Sequence, residues 1–314
     1  MTKTVLITGA AGFVGQYLVR EFGQDHRVIA LVRPGSQNLD RLNTISGDVT
    51  VLEHDIAQPW HTLPRAHVIL HAGGDPSSEN CIRDPLGAVT SNITATVHML
   101  EHARQSATEH VIYYSTGEVF GPTAPGLDAH SDDAYRCTSP YAASKAAGAE
   151  MVRAYGACHS QRASVIHINN SFGERCQANR FPVLALRRIL GGQELTVHQD
   201  AQGRIARRRW FHAADIASHT RFILQKQQQG FESWNSAGSR SIDNLEFADM
   251  IAAAVDRPLH YRLHQSERPG HTACYSITPQ KLYDLGWQEP FDLAQRIEQM
   301  ISWYLDNPLW LERT

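Results

Sequence analysis

Short runs of Val, Ile and Leu alternate, along the first half of the chain, with longer segments whose apolar residues recur every three or four positions. Thr4–Thr8, Arg27–Val32, Val49–Glu53, His67–His71, His110–Tyr114 and Ala163–Ile168 read as strands. Several are apolar at consecutive positions, the pattern of parallel strands covered by helices on both faces. Phe13–Phe22, Leu86–Arg104 and Pro140–Ala157 carry the helical period and fit between them. This alternation predicts an α/β fold built on a doubly wound parallel sheet. Past about residue 170 the rhythm changes. Phe181–Leu190, Asn244–Val255, Pro279–Leu285 and Leu293–Leu305 read as helices with short strands between them. The expected organisation is a first domain over residues 1–172 and a smaller α/β C-terminal lobe over 173–314, with some segments returning to the first domain.

At 314 residues the chain can bury a full core. Its net charge of −3 gives no reason to expect a nucleic-acid or membrane surface. Cys81, Cys137, Cys158, Cys176 and Cys274 are odd in number and lack Cys-x-x-Cys spacing, so they read as free thiols of a reducing cytoplasm. His98 and His102 have a spacing found in zinc sites but no evident third ligand, and are read as an exposed helix face. No metal is expected. Gln225–Gln229 reads as a solvated helix end or loop. No apolar run reaches the eighteen or so residues of a membrane span. Val5-Leu6-Ile7 runs straight into glycines, unlike a signal peptide, so the expected location is cytoplasmic.

The candidate chemistry begins where the first strand meets the first helix, at Gly9-Ala10-Ala11-Gly12-Phe13-Val14-Gly15. Gly9 permits a tight turn, Gly12 lets the backbone approach a pyrophosphate, and Gly15 lets the helix pack close to the strand. The anion sits on the free N–H groups of the helix N-terminus, around Phe13 and Val14. The second strand ends in Arg33 rather than in an acidic residue, with Ser36 nearby. A guanidinium suits a ribose 2′-phosphate, so NADP(H) is favoured over NAD(H). Asp55 and Ile56 follow the third strand and can flank the adenine. Tyr141 and Lys145 lie four apart on one predicted helix, in a chain with only four lysines. An ammonium beside a phenol favours the phenolate, so Tyr141 reads as a base working near neutral pH.

Together these residues resemble the extended short-chain dehydrogenase/reductase family, and within it the nucleotide-sugar epimerases and dehydratases. His71-Ala72-Gly73-Gly74 resembles the family's His-x-Ala-Ala/Gly, and Asn92 its helical Asn with a structural and proton-relay role. Ser115-Thr116-Gly117-Glu118-Val119-Phe120-Gly121 resembles Ser-Thr-Asp/Ser-Glu-Val-Tyr-Gly. Asn170-Ser171-Phe172-Gly173 resembles Asn-x-Tyr-Gly, and Arg208 begins a segment like the family's Arg-Asp-Trp/Phe motif. Arg268-Pro269-Gly270-His271, with Leu285-Gly286-Trp287 and Trp303–Asn307, looks most like dTDP-glucose 4,6-dehydratases.

The resemblance implies a Rossmann domain holding the cofactor at Gly9, Gly12, Phe13, Val14, Gly15, Arg33, Asp55, Ile56, His71, Ala72, Gly73, Asn92, Tyr141 and Lys145. It implies a nucleotide-diphosphate sugar on Cys81, Thr116, Asn170, Arg208 and Arg268. Tyr141, with Lys145 and Thr116, takes the 4-hydroxyl proton as hydride leaves C4. Glu118 then removes the C5 proton, water leaves from C6, and hydride returns there. A homodimer through helices 86–104 and 140–157 is implied by the same analogy. The chain departs from the pattern at Gly117, where dTDP-glucose enzymes carry the Asp that protonates the leaving hydroxyl. Cys81, His167, Glu174 and Arg209 stand where the family has Ser, Arg, Pro and Asp, and the expectation is that these changes surround the sugar and its diphosphate. The alternatives are a nucleotide-sugar 4-epimerase, an NADPH-dependent 4-keto reductase that has no use for Glu118, and a non-catalytic cofactor-binding protein.

Overall fold

A computed structural model of the chain describes residues 2–124, 126–200, 202–265 and 275–313. In order, the elements are β1 (Thr4–Thr8), α1 (Phe13–Phe22), β2 (Arg27–Val32), β3 (Val49–Glu53), β4 (Val68–His71), α2 (Ser78–Arg83), α3 (Pro85–Val89), α4 (Ala95–Gln105), β5 (His110–Thr116), α5 (Pro140–His159), β6 (Ala163–Ile168) and β7 (Ser171–Phe172). They continue with α6 (Phe181–Leu190), β8 (Leu195–Gln199), β9 (Arg207–Arg208), β10 (Phe211–His212), α7 (Ala213–Lys226), β11 (Phe231–Ser236), β12 (Ile242–Asp243), α8 (Asn244–Ala254), β13 (Tyr261–Gln265), α9 (Gln280–Asp284) and α10 (Leu293–Asp306).

Seven parallel strands form the central sheet, in the order β11-β6-β5-β4-β1-β2-β3. β1, β4 and β5 are buried along almost their whole length, as their unbroken Val-Ile-Leu runs require. The edge strand β3 is largely exposed. On one face Leu18, Val19 and Phe22 of α1 pack with Ile216 and Ile223 of α7. On the other, Met99, Leu100 and Ala103 of α4 pack with Ala149 and Val152 of α5. A second core joins Phe172, Trp210, Phe247, Ile251, Ile297, Met300 and Tyr304 in the C-terminal lobe. The strand order reverses between β1 and β4, so the loops after these two strands part and leave a crevice at their carboxyl ends, the usual ligand site of such sheets.

Three expectations are corrected. The helix read over 86–104 is not uniform: α3 and α4 are joined by a π-helical turn at Thr90–Thr94 that carries Asn92. α7, absent from the reading of the sequence, lies on the sheet; His219 and Thr220 interrupt its apolar stripe yet are buried, bonded to Ser236 and Tyr114. The glutamine run is not wholly solvated, since Gln227 is only 1% exposed. Its amide donates to the carbonyls of Ala163 and Gly230, each at 2.9 Å, and accepts from Ser164, so it closes the polar end of β6. Gln227→Ala strands two buried carbonyls and a hydroxyl, and is expected to cost about 2–3 kcal/mol, read as a lower denaturant midpoint with unchanged slope.

Candidate active site

A cleft of about 1530 Å³ runs from the glycine turn to the start of α5. Pockets for a single small ligand span about 300–1,000 Å³, so this one has room for more than one. Its near end is the turn after β1. Gly12 caps α1 in an extended conformation, and no side chain bonds the helix's first amides. A Cβ on Gly12 would lie 2.8 Å from the Gly9 carbonyl oxygen, and one on Gly15 2.1 Å from it. The turn therefore closes only with glycines, and its open amides suit an anion. These features fit a dinucleotide pyrophosphate.

Arg33, Ser36, Asn38 and Arg41 line the cleft beyond β2, and Asp55 and Ile56 beyond β3. The only carboxylate between residues 33 and 41, Asp40, is held by Arg313 and so is not turned to a ribose. Arg41 is buried and donates to the Ala11 carbonyl at 3.1 Å. Asp55 accepts from the Ala57 amide at 3.0 Å, which shapes its own loop.

At the far end α5 begins with Ser139 capping the Ala142 amide and Pro140 in the first turn. That start aims Tyr141 into the cleft, with Lys145 one turn on. Thr116, at the end of β5, receives the Glu118 amide on its hydroxyl at 3.2 Å and is hydrogen-bonded to Tyr141. Thr116, Glu118, Tyr141, Lys145 and Asn170 all line the cleft, as does the buried Arg208.

In the protein alone, the groups around Tyr141 do not favour its phenolate. Burial pushes the Tyr141 phenol up, Glu118 pushes it further, and the Thr116 hydrogen bond only partly offsets them. Burial also pushes Lys145 down to about 7, with the Cys81 thiol opposing. Its ammonium lies 4.3 Å from the centre of the Tyr113 ring rather than beside a carboxylate. Desolvation is the largest influence on both groups because each is buried in the cleft wall.

Several expected binding residues stand behind the cleft wall. His71 is fully buried, pushed down to about 3 by burial and by Lys145, with its ring stacked on Tyr113. It pairs with Thr8 at 2.9 Å, and Thr8 in turn accepts the Gly73 amide at 2.9 Å. It therefore holds two loop backbones together, while Ala72 and Gly73 face the cleft. Asn92 does not line the cleft either. Its amide group binds the Asp75 backbone and the Ser144 hydroxyl, and Ser144 donates to the Tyr141 carbonyl. Cys81 is fully buried, and burial pushes its thiol up to about 11; its neighbours Ser77, Ser78, Glu79 and Asn80 line the cleft instead. Arg268 lies outside the described residues.

The departures from the family pattern do not surround the ligand space as expected. None of Cys81, Gly117, His167, Glu174 or Arg209 is among the cleft-lining residues. His167 bonds the Tyr135 hydroxyl at 3.0 Å. Glu174 turns to Tyr17 and His212 beneath α1. Arg209 binds Asp128 and the carbonyls of Gly238 and Ser239. His198 packs edge-on against His264, away from the cleft. His102 is buried beside Trp60 rather than exposed, and no cluster of metal-binding side chains occurs among the described residues.

The cleft also contains residues that the sequence did not single out. Arg180, exposed just before α6, reaches near enough to lower the Tyr141 phenol slightly. Tyr275 donates to the Asn170 side chain at 2.9 Å, and the Arg208 guanidinium covers its ring at 4.0 Å. Neither Arg180 nor Tyr275 is marked by any apolar period or motif in the sequence around it.

The family described as "NAD dependent epimerase/dehydratase family" matches residues 5–237. A dTDP-glucose 4,6-dehydratase of Xanthomonas campestris is 27% identical, over 98% of this chain and 95% of that protein. One from Streptomyces niveus is 26% identical over 98% and 94%. Among solved structures, a dTDP-glucose 4,6-dehydratase from Streptomyces venezuelae containing NAD superposes with a TM-score of 0.88 at 22% identity, covering 98% of this chain and 99% of that one. A UDP-glucose 4-epimerase from Thermus thermophilus, also with NAD, superposes with a TM-score of 0.86 at 21% identity, covering 96% and 99%. At these identities the superpositions speak to the shared fold.

Burying Lys145 is a cost that folding has to bear. Folding lowers its pKa from the ordinary 10.5 to about 7, so the unfolded chain holds more protons between those values. The penalty is full below about pH 7, fades as pH rises, and is gone above about 10.5. At about 1.4 kcal/mol per unit it amounts to a few kcal/mol. Lys145→Met is expected to abolish turnover yet raise Tm at pH 7 by at least about 3 °C. Calorimetry at pH 7 and 10 should find the gap between variant and wild type narrowing at the higher pH.

Proposed function

The chain belongs to the NAD dependent epimerase/dehydratase family, and from that premise we propose that it is a nucleotide-sugar 4,6-dehydratase working with a bound pyridine nucleotide. The observation that carries the reading is the carboxylate of Glu118 in one cleft with Thr116 and Tyr141. A phenol and a hydroxyl suffice to take a proton from O4 of a hexose. A ketone at C4 then acidifies the C5 proton, and only the next step, removal of that proton, calls for a carboxylate. A bound oxidised pyridine nucleotide supplies two things these residues lack, a hydride acceptor and a positive charge beside the phenol.

In this reading Tyr141 receives the O4 proton while Thr116 orients that hydroxyl. Lys145 holds the ribose next to the reacting ring. Arg208 and Asn170 bind the diphosphate, with Arg180 as a further cation at the sugar end; guanidinium forks match such a dianion. Arg33, Ser36 and Arg41 favour a 2′-phosphate and hence NADP(H), although the solved dehydratase and epimerase named above contain NAD. A homodimer is proposed through α3 and α5, because Leu86 and Val89 of α3 are exposed apolar residues beside α5. Sedimentation equilibrium should give twice the chain mass of 35.0 kDa.

Gly117 favours a second reading, a 4-epimerase or a 4-keto reductase, since neither has to protonate a departing hydroxyl. The products separate the two. The dehydratase turns a nucleotide hexose into a 4-keto-6-deoxy sugar with no added cofactor, the epimerase inverts C4, and the reductase consumes NADPH stoichiometrically. Denatured protein is expected to release NADP(H). Tyr141→Phe is expected to lower hydride transfer by about 10²–10⁴ while cofactor binding, read by thermal stabilisation, stays nearly unchanged. Retention of more than a few per cent of the rate would show that Tyr141 is not the base.

A further inference from the structure

We propose that the Tyr275 phenol is the acid that protonates the departing C6 hydroxyl, filling the role Gly117 cannot. The inference rests on the dehydratase reading above. Hydroxide is a poor leaving group, so the elimination needs a proton at the C6 oxygen as the C6–O bond breaks. A Cβ on Gly117 would lie 3.1 Å from the Ile277 side chain, so the segment carrying Ile277 occupies the space a longer residue 117 would need. That same segment carries Tyr275 into the cleft. It is held there by pairing of Ala129 with Ile277, and by the Ser276 amide on the Thr123 hydroxyl at 3.2 Å.

Three proton-handling groups thus converge from separate elements. Tyr141 comes from α5, Glu118 from the turn after β5, and Tyr275 from the C-terminal lobe. Glu118 lies near enough to raise both phenols. By the elimination step Tyr141 already holds the O4 proton and is committed to that oxygen. Tyr275 is the other cleft phenol that Glu118 raises, and its hydroxyl donates to the Asn170 side chain at 2.9 Å. Burial raises it and keeps it protonated at neutral pH, while Arg208 over its ring favours the anion left after donation.

The step balances. Glu118 takes the C5 proton, the C5–H electron pair becomes the C5–C6 double bond, and the C6–O pair leaves on oxygen. That oxygen takes the Tyr275 proton and departs as water. When hydride returns to C6, Glu118 gives its proton to C5. Tyr141 ends with the proton from O4 and Tyr275 lacks one, so a single proton passed through solvent resets the site.

The test uses the full chain, Tyr275→Phe, and the nucleotide hexose that wild type converts. Cofactor reduction on mixing and exchange of the C5 hydrogen into deuterated solvent are expected to stay within about threefold of wild type, because neither needs the acid. Formation of the 6-deoxy product should fall by about 10²–10⁴. The 6-fluoro-6-deoxy analogue loses fluoride without a proton, so the variant should process it within about tenfold of wild type. An unchanged rate of 6-deoxy product, or a parallel fall in all four readouts, would overturn the acid role and leave the dehydratase reading standing. Absence of 6-deoxy product from wild type, with any nucleotide hexose, would overturn both.

Discussion

Gly15 stands so close to Gly9 that no side chain could come between them. That contact seats the N-terminus of α1 directly on the end of β1, and the rest of the site is measured from it. Once the helix starts there, its open amides lie at the crevice where the strand order reverses. Thr8, the last residue of β1, then reaches across to His71 and the Gly73 amide, so the loop after β4 takes its position from the loop after β1. Gly74, Asp75 and Asn92 continue the chain of contacts to Ser144 and so to the backbone of Tyr141. The spacing between the glycine turn and Tyr141 is thus set by a continuous series of hydrogen bonds and short chain segments.

That series explains which parts of the site were legible in the sequence. A strand buried on both faces leaves an apolar run, and a helix that must touch a strand leaves glycines at fixed spacing. Both signals are local, and β1, β2, β3, β6, α1 and α6 start and end where the pattern indicates. The π-helical turn, α7 and Gln227 were not legible, because each depends on polar groups finding partners far along the chain: Asn92 with Ser144, His219 with Ser236, Gln227 with Ser164. The motif residues His71, Asn92 and Cys81 were recognisable as types, but motif matching does not tell a residue that touches a ligand from one that positions its neighbour. Tyr275 and Arg180 escaped for the converse reason, being single side chains brought to the cleft by the tertiary fold, with no local period to mark them.

Lys145 gives the site its instability. A lysine is kept at the foot of α5, in a wall where its charged form is disfavoured, with an aromatic ring and a thiol as its nearest electrostatic company. Well-packed apolar residues would stabilise the fold better, and a lysine kept there suits the ribose-holding role proposed for it. The same burial that weakens the ammonium also holds Tyr141 in its neutral form. In the proposed reaction the protein's own groups do not favour the phenolate, and a cofactor's positive charge beside Tyr141 would be what favours it.

The C-terminal lobe closes this arrangement at residues 275–278. Their pairing with Ala129 ties them to the loop that follows Phe120, and the Thr278 amide bonds the Ala129 carbonyl at 3.0 Å. Asn235, at the end of β11, donates to that same carbonyl at 2.9 Å, so the last strand of the sheet anchors the layer. Arg209 pins the outer side by binding Asp128, while its neighbour Arg208 faces the cleft. Two departures from the family pattern, Gly117 and Arg209, thus meet on one structure: the first leaves room beneath Ile277, and the second holds the loop that Ile277 pairs with. A segment gripped from both sides can present a phenol as firmly as a helix would. In the proposed reaction, that would let a site with no carboxylic acid at residue 117 offer a proton at a fixed place.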